Sequence, residues 1–255
     1  MFFIYQIILS LLILISPIII SFRIFKNKEH KKRFVEKFGI PSKKRNYGKL
    51  IWFHGASVGE ILSIIPLIKY YEKKNSIDQI LITSSTLSSS KVIKKFKFKK
   101  TKHQFYPIDH IFITSKFLNY WKPDLAIFIE SEIWPSMIIK LKNKNIPLIL
   151  LNARLTKKTF NRWVSFKNFA HSIFNKISVA YPQNIETKYF LKKLKVNKIN
   201  HLGNLKFAES NENEEKINNN LKFQLKKKKI WVASSTHANE EIFCAKAHIE
   251  LKKKI

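Results

Sequence analysis

The hydrophobic pattern divides the chain into three parts. Phe2 to Ile20 is apolar apart from Gln6, Ser10, Ser16 and Pro17, and nineteen residues of helix span about 28 Å, close to the hydrocarbon thickness of a bilayer. From Leu50 onward, short β-branched runs alternate with amphipathic stretches. The runs Leu50–His54, Gln79–Ser84, Gln104–Tyr106, Asp124–Ile129, Pro147–Asn152 and Ile177–Ala180 predict strands. Ile61–Lys74, Lys91–Phe96, Ile111–Trp121, Pro135–Asn143 and Thr159–Asn175 carry helical periodicity. Continuously apolar strands such as Leu-Ala-Ile-Phe-Ile at 125–129 suit a parallel sheet covered on both faces. The alternation as a whole predicts a doubly wound α/β domain, whose sites form at the carboxyl ends of the strands. The third part opens with the acidic, Asn-rich stretch Glu209–Asn220, read as a linker, and continues with a strand at Lys229–Ala233 and a helix at Asn239–Lys252.

Flanking charge orients the first segment. Arg23, Lys26, Lys28, Lys31, Lys32 and Arg33 follow it, and no Lys or Arg precedes it. By the positive-inside rule the domain after it stays on the cytoplasmic side of the inner membrane. A cleavable signal peptide would have a basic start and a small-residue cleavage site, and neither is present. The expectation is an uncleaved anchor over residues 1–22; a deeply embedded monotopic helix is the alternative.

The whole 255-residue chain carries 48 Lys+Arg against 17 Asp+Glu, a formal net charge of +31. Five of the basic residues are Arg and the other 43 are Lys. Abundant Lys, Asn, Ile and Phe are what A+T-rich coding favours, which is the plain explanation. Functionally, base recognition uses Arg's planar fork, whereas an anionic lipid surface needs only point charge. The expected polyanionic partner is therefore membrane and not nucleic acid. One cysteine, Cys244, excludes an internal disulfide framework and a Cys-based metal cluster. The three aspartates, Asp78, Asp109 and Asp124, lie far apart in sequence, so a paired-Asp metal site is not expected either.

Candidate chemistry gathers at three strand ends. The first strand runs into His54-Gly55-Ala56-Ser57-Val58-Gly59-Glu60, a tight turn that puts helix N–H groups at the sheet edge and Glu60 in the first helical turn. The plainer reading of Glu60 is a helix cap. The fourth strand runs into Glu130-Ser131-Glu132-Ile133-Trp134-Pro135, where the plainer reading is complementarity to a helix dipole. The fifth ends in Asn152-Ala153-Arg154-Leu155, and a surface ion pair would account for Arg154. Carboxylates for base catalysis beside an Arg to hold an anion form a plausible transferase site.

These segments, together with Gly203-Asn204-Leu205-Lys206-Phe207 and Ser234-Ser235-Thr236-His237-Ala238-Asn239-Glu240-Glu241, resemble in order and spacing the 3-deoxy-D-manno-octulosonate (Kdo) transferases of lipopolysaccharide synthesis. The resemblance implies a glycosyltransferase B fold: a Rossmann-like, acceptor-binding N-terminal domain, here residues 49–207 after a basic segment at 23–48, and a donor-binding domain after a linker at 208–228. It implies Kdo transfer from CMP-Kdo to a lipid A precursor, lipid IVA, without a metal or other cofactor. Glu60 matches the family's general base, and Glu130 its second acidic position, with a two-residue ambiguity toward Glu132. Ser57, Gly59, Glu132, Arg154, Lys206, Ser235, Thr236 and His237 are the expected substrate-binding positions. The turn at 235–237 would offer N–H groups to the donor's phosphate or carboxylate, and helix capping is the alternative for His237. Family members usually have Pro-Gly where this chain has Ala238-Asn239.

Family members continue for well over a hundred residues more, so the resemblance also implies a C-terminally truncated chain. The expectation is an acceptor-binding half, inactive in transfer by itself, with residues 229–255 as the poorly packed start of the donor domain. Two alternatives stay open: another glycosyltransferase B enzyme with a different nucleotide sugar, and a basic membrane-tethered binding protein.

Overall fold

The structure is a computed structural model that describes residues 1–203, 205 and 230–253. It falls into two compact units, Met1–Glu209 and Ser210–Ile255. Lys206, Lys229 and the expected linker lie outside the described residues.

The first unit opens with α1 (Phe2–Phe25), which contains Pro17, and a 3₁₀ turn at Arg33–Phe38. The strands that follow are β1 (Leu50–His54), β2 (Gln79–Ser84), β3 (Thr101–Phe105), β4 (Leu125–Ile129), β5 (Leu148–Ala153) and β6 (Val179–Pro182). All pair in parallel, in the order β3-β2-β1-β4-β5-β6. This is the doubly wound Rossmann-like order, and its direction of winding reverses between β1 and β4, where such sheets open a crevice.

Alternation along each strand builds two cores. Leu50 and Trp52 point to one face with Phe128 and Leu150, and pack against Phe117, Leu118, Met137 and Phe174. Those side chains come from α5 (Ile111–Trp121), α6 (Pro135–Asn143) and α8 (Lys167–Phe174). Ile51 and Phe53 point to the other face with Ile80 and Ile82, and pack against Ile61, Ile65, Ile68 and Ile93. These belong to α2 (Val58–Ser63), α3 (Ile65–Glu72) and α4 (Leu87–Lys95). Every residue of β1 and β2 is buried, and the two strands are apolar except for His54 at the end of β1 and Gln79, Thr83 and Ser84 in β2.

Several boundaries differ from the pattern. The helix expected over Ile61–Lys74 is broken at Ile64, because Pro66 has no N–H and its ring clashes with a continuing helix. The helix expected over Thr159–Asn175 is α7 (Lys157–Val164) followed by α8, and nothing local in the sequence marks the break. β3 starts at Thr101, since an edge strand tolerates polar residues that hide it from a hydrophobicity scan. A further helix, α9 (Ile185–Lys193), begins at Asn184, whose side chain accepts the Thr187 N–H.

Among the described residues of the second unit, Glu240–Lys253 form α10, which buries no residue. The expected strand is absent over Ile230–Ala233: these residues pair with no strand among those described, and a strand is stable only with a ladder partner.

Candidate active site

β1 delivers the turn Gly55-Ala56-Ser57 to the crevice, and the turn feeds directly into α2. Ser57 caps that helix: its Oγ accepts the Glu60 N–H at 3.2 Å. Glu60 reaches back, its carboxylate accepting the Ala56 N–H at 2.7 Å and the Ser57 hydroxyl at 2.9 Å. This is a variant of the capping box, with the Ala56 N–H in place of the cap residue's own, so the plainer reading of Glu60 is present in the structure. Glu60 is nonetheless half-buried at the crevice. Burial raises its proton affinity; the bonds from Ala56 and Ser57 lower it; the nearby charges of Glu132 and Glu130 raise it again. The result is a carboxyl above its ordinary value. A carboxylate that holds a proton more readily than usual is suited to accept one from a hydroxyl.

The two glycines of this turn differ. A Cβ on Gly55 would come within 3.1 Å of the Glu60 Cβ, so strand end and helix approach each other closely there. A Cβ on Gly59 would meet nothing within 4 Å. The turn does not need Gly59 for steric reasons, and the residue is exposed.

Strand β4 turns sharply at Glu130, whose φ of 56° is left-handed, a conformation that costs a non-glycine residue about 1–2 kcal/mol. Asn152, at the end of β5, has φ 52° beside a bulge. The two turns are tied together: the Arg154 N–H donates to the Glu130 carbonyl at 3.3 Å, and the Ser131 hydroxyl to the Arg154 carbonyl at 2.6 Å. Glu130 and Arg154 thus share one corner of the crevice, with the Arg154 side chain exposed.

Glu132 points inward. Its carboxylate stands 2.9 Å from His54 Nε2 and accepts the Trp134 indole N–H at 2.7 Å. Burial alone would raise the carboxyl, but the bond and charge of His54, with the Trp134 bond, more than offset it, leaving Glu132 below its ordinary value. His54 is completely buried, stacked on Tyr106 with ring centroids 3.8 Å apart, its Nδ1 near the Thr83 carbonyl and hydroxyl. Glu132 is therefore built into the floor, while Glu60 faces the opening.

In the second unit, Asn239 takes φ 77°. That is the left-handed conformation that glycine supplies, and Asn is among the residues that tolerate it. The His237 N–H donates to the Glu240 carboxylate at 2.8 Å and the Thr236 hydroxyl to Glu241 at 3.2 Å, while Ser235 has φ 59°. An anion at this turn would have to displace Glu240. His237 takes part through its main chain, its carbonyl accepting the Glu240 N–H.

The structure therefore brings Glu60, Glu130, Glu132, Ser57, Gly59 and Arg154 to one edge of the sheet. His54, Trp134 and Asp109 were not predicted as site residues. Their signals in the sequence were a polar residue ending an apolar strand, a Trp-Pro helix start and the scarcity of aspartate. Asp109 is buried; its carboxylate accepts the Ser136 and Met137 N–H groups at 2.8 Å each and the Tyr5 hydroxyl at 2.8 Å. Among the described residues, no three His, Cys, Asp or Glu side chains are grouped to hold a metal ion.

A family profile described as 3-deoxy-D-manno-octulosonic-acid transferase (kdotransferase) matches residues 32–209. A 3-deoxy-D-manno-octulosonic acid transferase of Rickettsia bellii is 36% identical over 247 residues, covering 96% of this chain and 59% of its own. The enzyme of the same name from Haemophilus influenzae is 30% identical over 254 residues, covering 94% and 58%. The chain thus spans somewhat more than half the length of these curated relatives. Among solved structures, a UDP-GlcNAc 2-epimerase from Neisseria meningitidis aligns with a TM-score of 0.45 at 16% identity, over 62% of this chain and 47% of that one.

Proposed function

The chain belongs to the 3-deoxy-D-manno-octulosonic-acid transferase family, and from that premise we propose that residues 49–207 form the acceptor half of a glycosyltransferase that moves Kdo from CMP-Kdo to a lipid A precursor. The observation that carries the proposal is Glu60: a carboxylate of raised proton affinity at the opening of the crevice between β1 and β4. In the reaction, the acceptor sugar hydroxyl gives its proton to Glu60 as its oxygen attacks the anomeric carbon of Kdo. The new glycosidic C–O bond forms as the bond from that carbon to the CMP phosphate breaks, and CMP leaves with the electron pair.

Glu130 and Arg154 border the same corner, where Glu130 reinforces the basicity of Glu60 and Arg154 offers charge to an anionic substrate. Ser57 and Gly59 line the approach to the base. Glu132 positions the floor through His54 and Trp134. Lys206, Ser235, Thr236 and His237 are proposed on the donor side, where the rest of the nucleotide site would be contributed by chain that the longer relatives possess. The proposed chemistry needs no metal, since acceptor activation falls to a carboxylate.

The one helix among those described that is long and apolar enough to cross a membrane is α1. We propose that it attaches the domain to the cytoplasmic face of the inner membrane, where the lipid acceptor resides.

The test uses this chain in mixed micelles with a tetraacylated disaccharide lipid A precursor, followed by equilibrium binding. Transfer is then measured with the chain joined to the C-terminal half of the Rickettsia bellii relative. Saturable binding by the chain and CMP-Kdo-dependent transfer by the fusion are expected. Absence of acceptor binding would overturn the assignment of this half.

A further inference from the structure

α1 does not stand clear of the domain it precedes. Protected positions recur along it at Tyr5, Gln6, Leu9, Ile13, Ser16 and Ile20, in steps of one, three and four that trace one stripe of a helix. Ser16 and Ile20 are only 7% and 8% exposed. On the other side, Ile4, Ile8, Leu11, Ile15, Ile18 and Phe22 are each more than half exposed.

The polar interruptions that weaken α1 as a lipid-facing segment make hydrogen bonds to the domain. The Tyr5 hydroxyl donates to Asp109 at 2.8 Å. The Gln6 amide donates to the Ser136 hydroxyl at 2.7 Å and accepts the Ile111 N–H at 3.0 Å. Ser10 Oγ lies 3.2 Å from His110 Nε2. These partners sit at the starts of α5 and α6. At its other end, Arg23 bonds Glu29 at 3.3 Å, and Lys37 of the 3₁₀ turn bonds the same buried carboxylate. That turn is fastened to the sheet edge, where Glu36 accepts the Phe105 N–H at 2.7 Å.

A bilayer crossing requires about 20 residues free of the domain. With Tyr5, Gln6 and Ser10 bonded at one end and Arg23 at the other, α1 has no such stretch. Pulling it away would also carry the phenol, amide and hydroxyl into hydrocarbon without their partners, which is unfavourable. We propose that α1 is an interfacial helix lying parallel to the membrane surface. Its protected stripe is clamped to the domain and its exposed apolar face is sunk in an anionic leaflet. The lipid surface is favoured as occupant by charge complementarity: Lys26, Lys28, Lys31 and Lys32 are exposed just beyond the helix, on a chain of net charge +31.

The clamp has a consequence for the site. Asp109 ties Tyr5 to the first N–H groups of α6, immediately after the Glu132–Trp134 segment that floors the crevice. The membrane plane is therefore set beside the acceptor site, so that a lipid-borne sugar reaches Glu60 while its acyl chains stay in the leaflet. This last consequence rests on the function proposed above; the orientation of α1 does not, and its test involves no transfer.

The test uses the full 255-residue chain carrying Cys244→Ser, with single cysteines introduced in turn at Ile4, Leu11, Ile18 and Phe22, each labelled with an environment-sensitive fluorophore. Vesicles contain three parts phosphatidylcholine to one part phosphatidylglycerol, with a quencher placed near the headgroup or near the end of the acyl chain. Flotation establishes that the protein is bound. For a helix in the interface, all four labels are quenched better by the shallow probe, with a shallow-to-deep ratio varying less than about twofold along the helix. A ratio that inverts at Leu11, with shallow values at Ile4 and Phe22, identifies a spanning helix and overturns the proposal. Failure to float, or labels untouched by either quencher, overturns membrane contact through this face.

Discussion

His54 ends β1 and Glu132 follows β4, and the 2.9 Å contact between imidazole and carboxylate bridges the point where the winding of the sheet reverses. A second donor, the Trp134 indole, holds the same carboxylate oxygen from its own loop. The crevice therefore has a fixed floor at Glu132 and a proton acceptor at Glu60 above it. The two glutamates have opposite shifts in proton affinity: burial raises Glu60 most, with smaller contributions from Glu132 and Glu130, whereas at Glu132 burial is outweighed by the bond and charge of His54 and the Trp134 bond.

That division predicts different losses for the two amide variants. In the fusion described above, Glu60→Gln is expected to lower kcat by about 10²–10⁴, or roughly 3–5 kcal/mol of barrier. Glutamine is itself a capping-box residue, so stability should change by less than about 1 kcal/mol. Turnover at saturating acceptor, alongside urea denaturation, checks both. A variant retaining more than a tenth of wild-type turnover removes Glu60 from the role of base.

Glu132→Gln should show the reverse emphasis. An amide oxygen can still accept from His54 or Trp134 but brings no charge, so the loss is about 1.5–3 kcal/mol of stability. The wild-type carboxyl lies below its ordinary value, so its stabilisation is present above the unfolded pKa and disappears as pH falls through the folded one. The gap in stability between wild type and Glu132→Gln should therefore narrow on acidification, as followed by denaturation at a series of pH values.

Asp109 should behave with the opposite sign. Burial pushes its carboxyl from 3.8 up to about 6, against the opposing bonds from Ser136, Tyr5 and Met137. Its protonated form is favoured in the folded state, so that contribution is complete below about pH 4 and is lost as pH rises to about 6. The loss approaches about 3 kcal/mol at 1.36 kcal/mol per unit. Asp109→Asn should flatten the stability profile between those limits. Tyr5→Phe removes a donor that lowers the Asp109 value, and should move its titration, observed by carboxyl carbon NMR, further upward.

Gly59→Ala separates folding from binding. Open space surrounds the added methyl and α2 gains a better helix former, so stability should rise by up to about 1 kcal/mol. If the bare backbone of this turn faces the acceptor sugar, as proposed, KM for the acceptor should rise severalfold in the same protein. Unchanged acceptor affinity would remove Gly59 from the substrate surface.

Much of this arrangement was legible from the chain alone. Apolar runs at 50–53 and 125–129 marked buried parallel strands, because a strand covered on both faces admits a polar residue such as His54 only where hydrogen-bond partners meet it. Glu60 in a first helical turn, and Pro135 at a helix start, marked their helices by local rules that act within a few residues; the Ser57 cap emerged only from the structure. The strand order was not legible, since pairing β1 with β4 depends on contacts between segments more than seventy residues apart.

The sequence by itself determined the alternation of strand and helix, the motifs at the strand ends and the apolar character of α1, all of which depend on residue type and local spacing. Tertiary structure alone decided which carboxylate became which. Glu60 and Glu132 differ because desolvation and neighbouring charge depend on distances that only folding sets. It also decided the disposition of α1. Its length and hydropathy satisfy a bilayer crossing, yet Tyr5, Gln6 and Ser10 find their partners at the starts of α5 and α6, more than a hundred residues away for Tyr5 and Gln6 and a hundred for Ser10. No local pattern encodes such a clamp, because each bond pairs a polar side chain with a group brought near only by the fold.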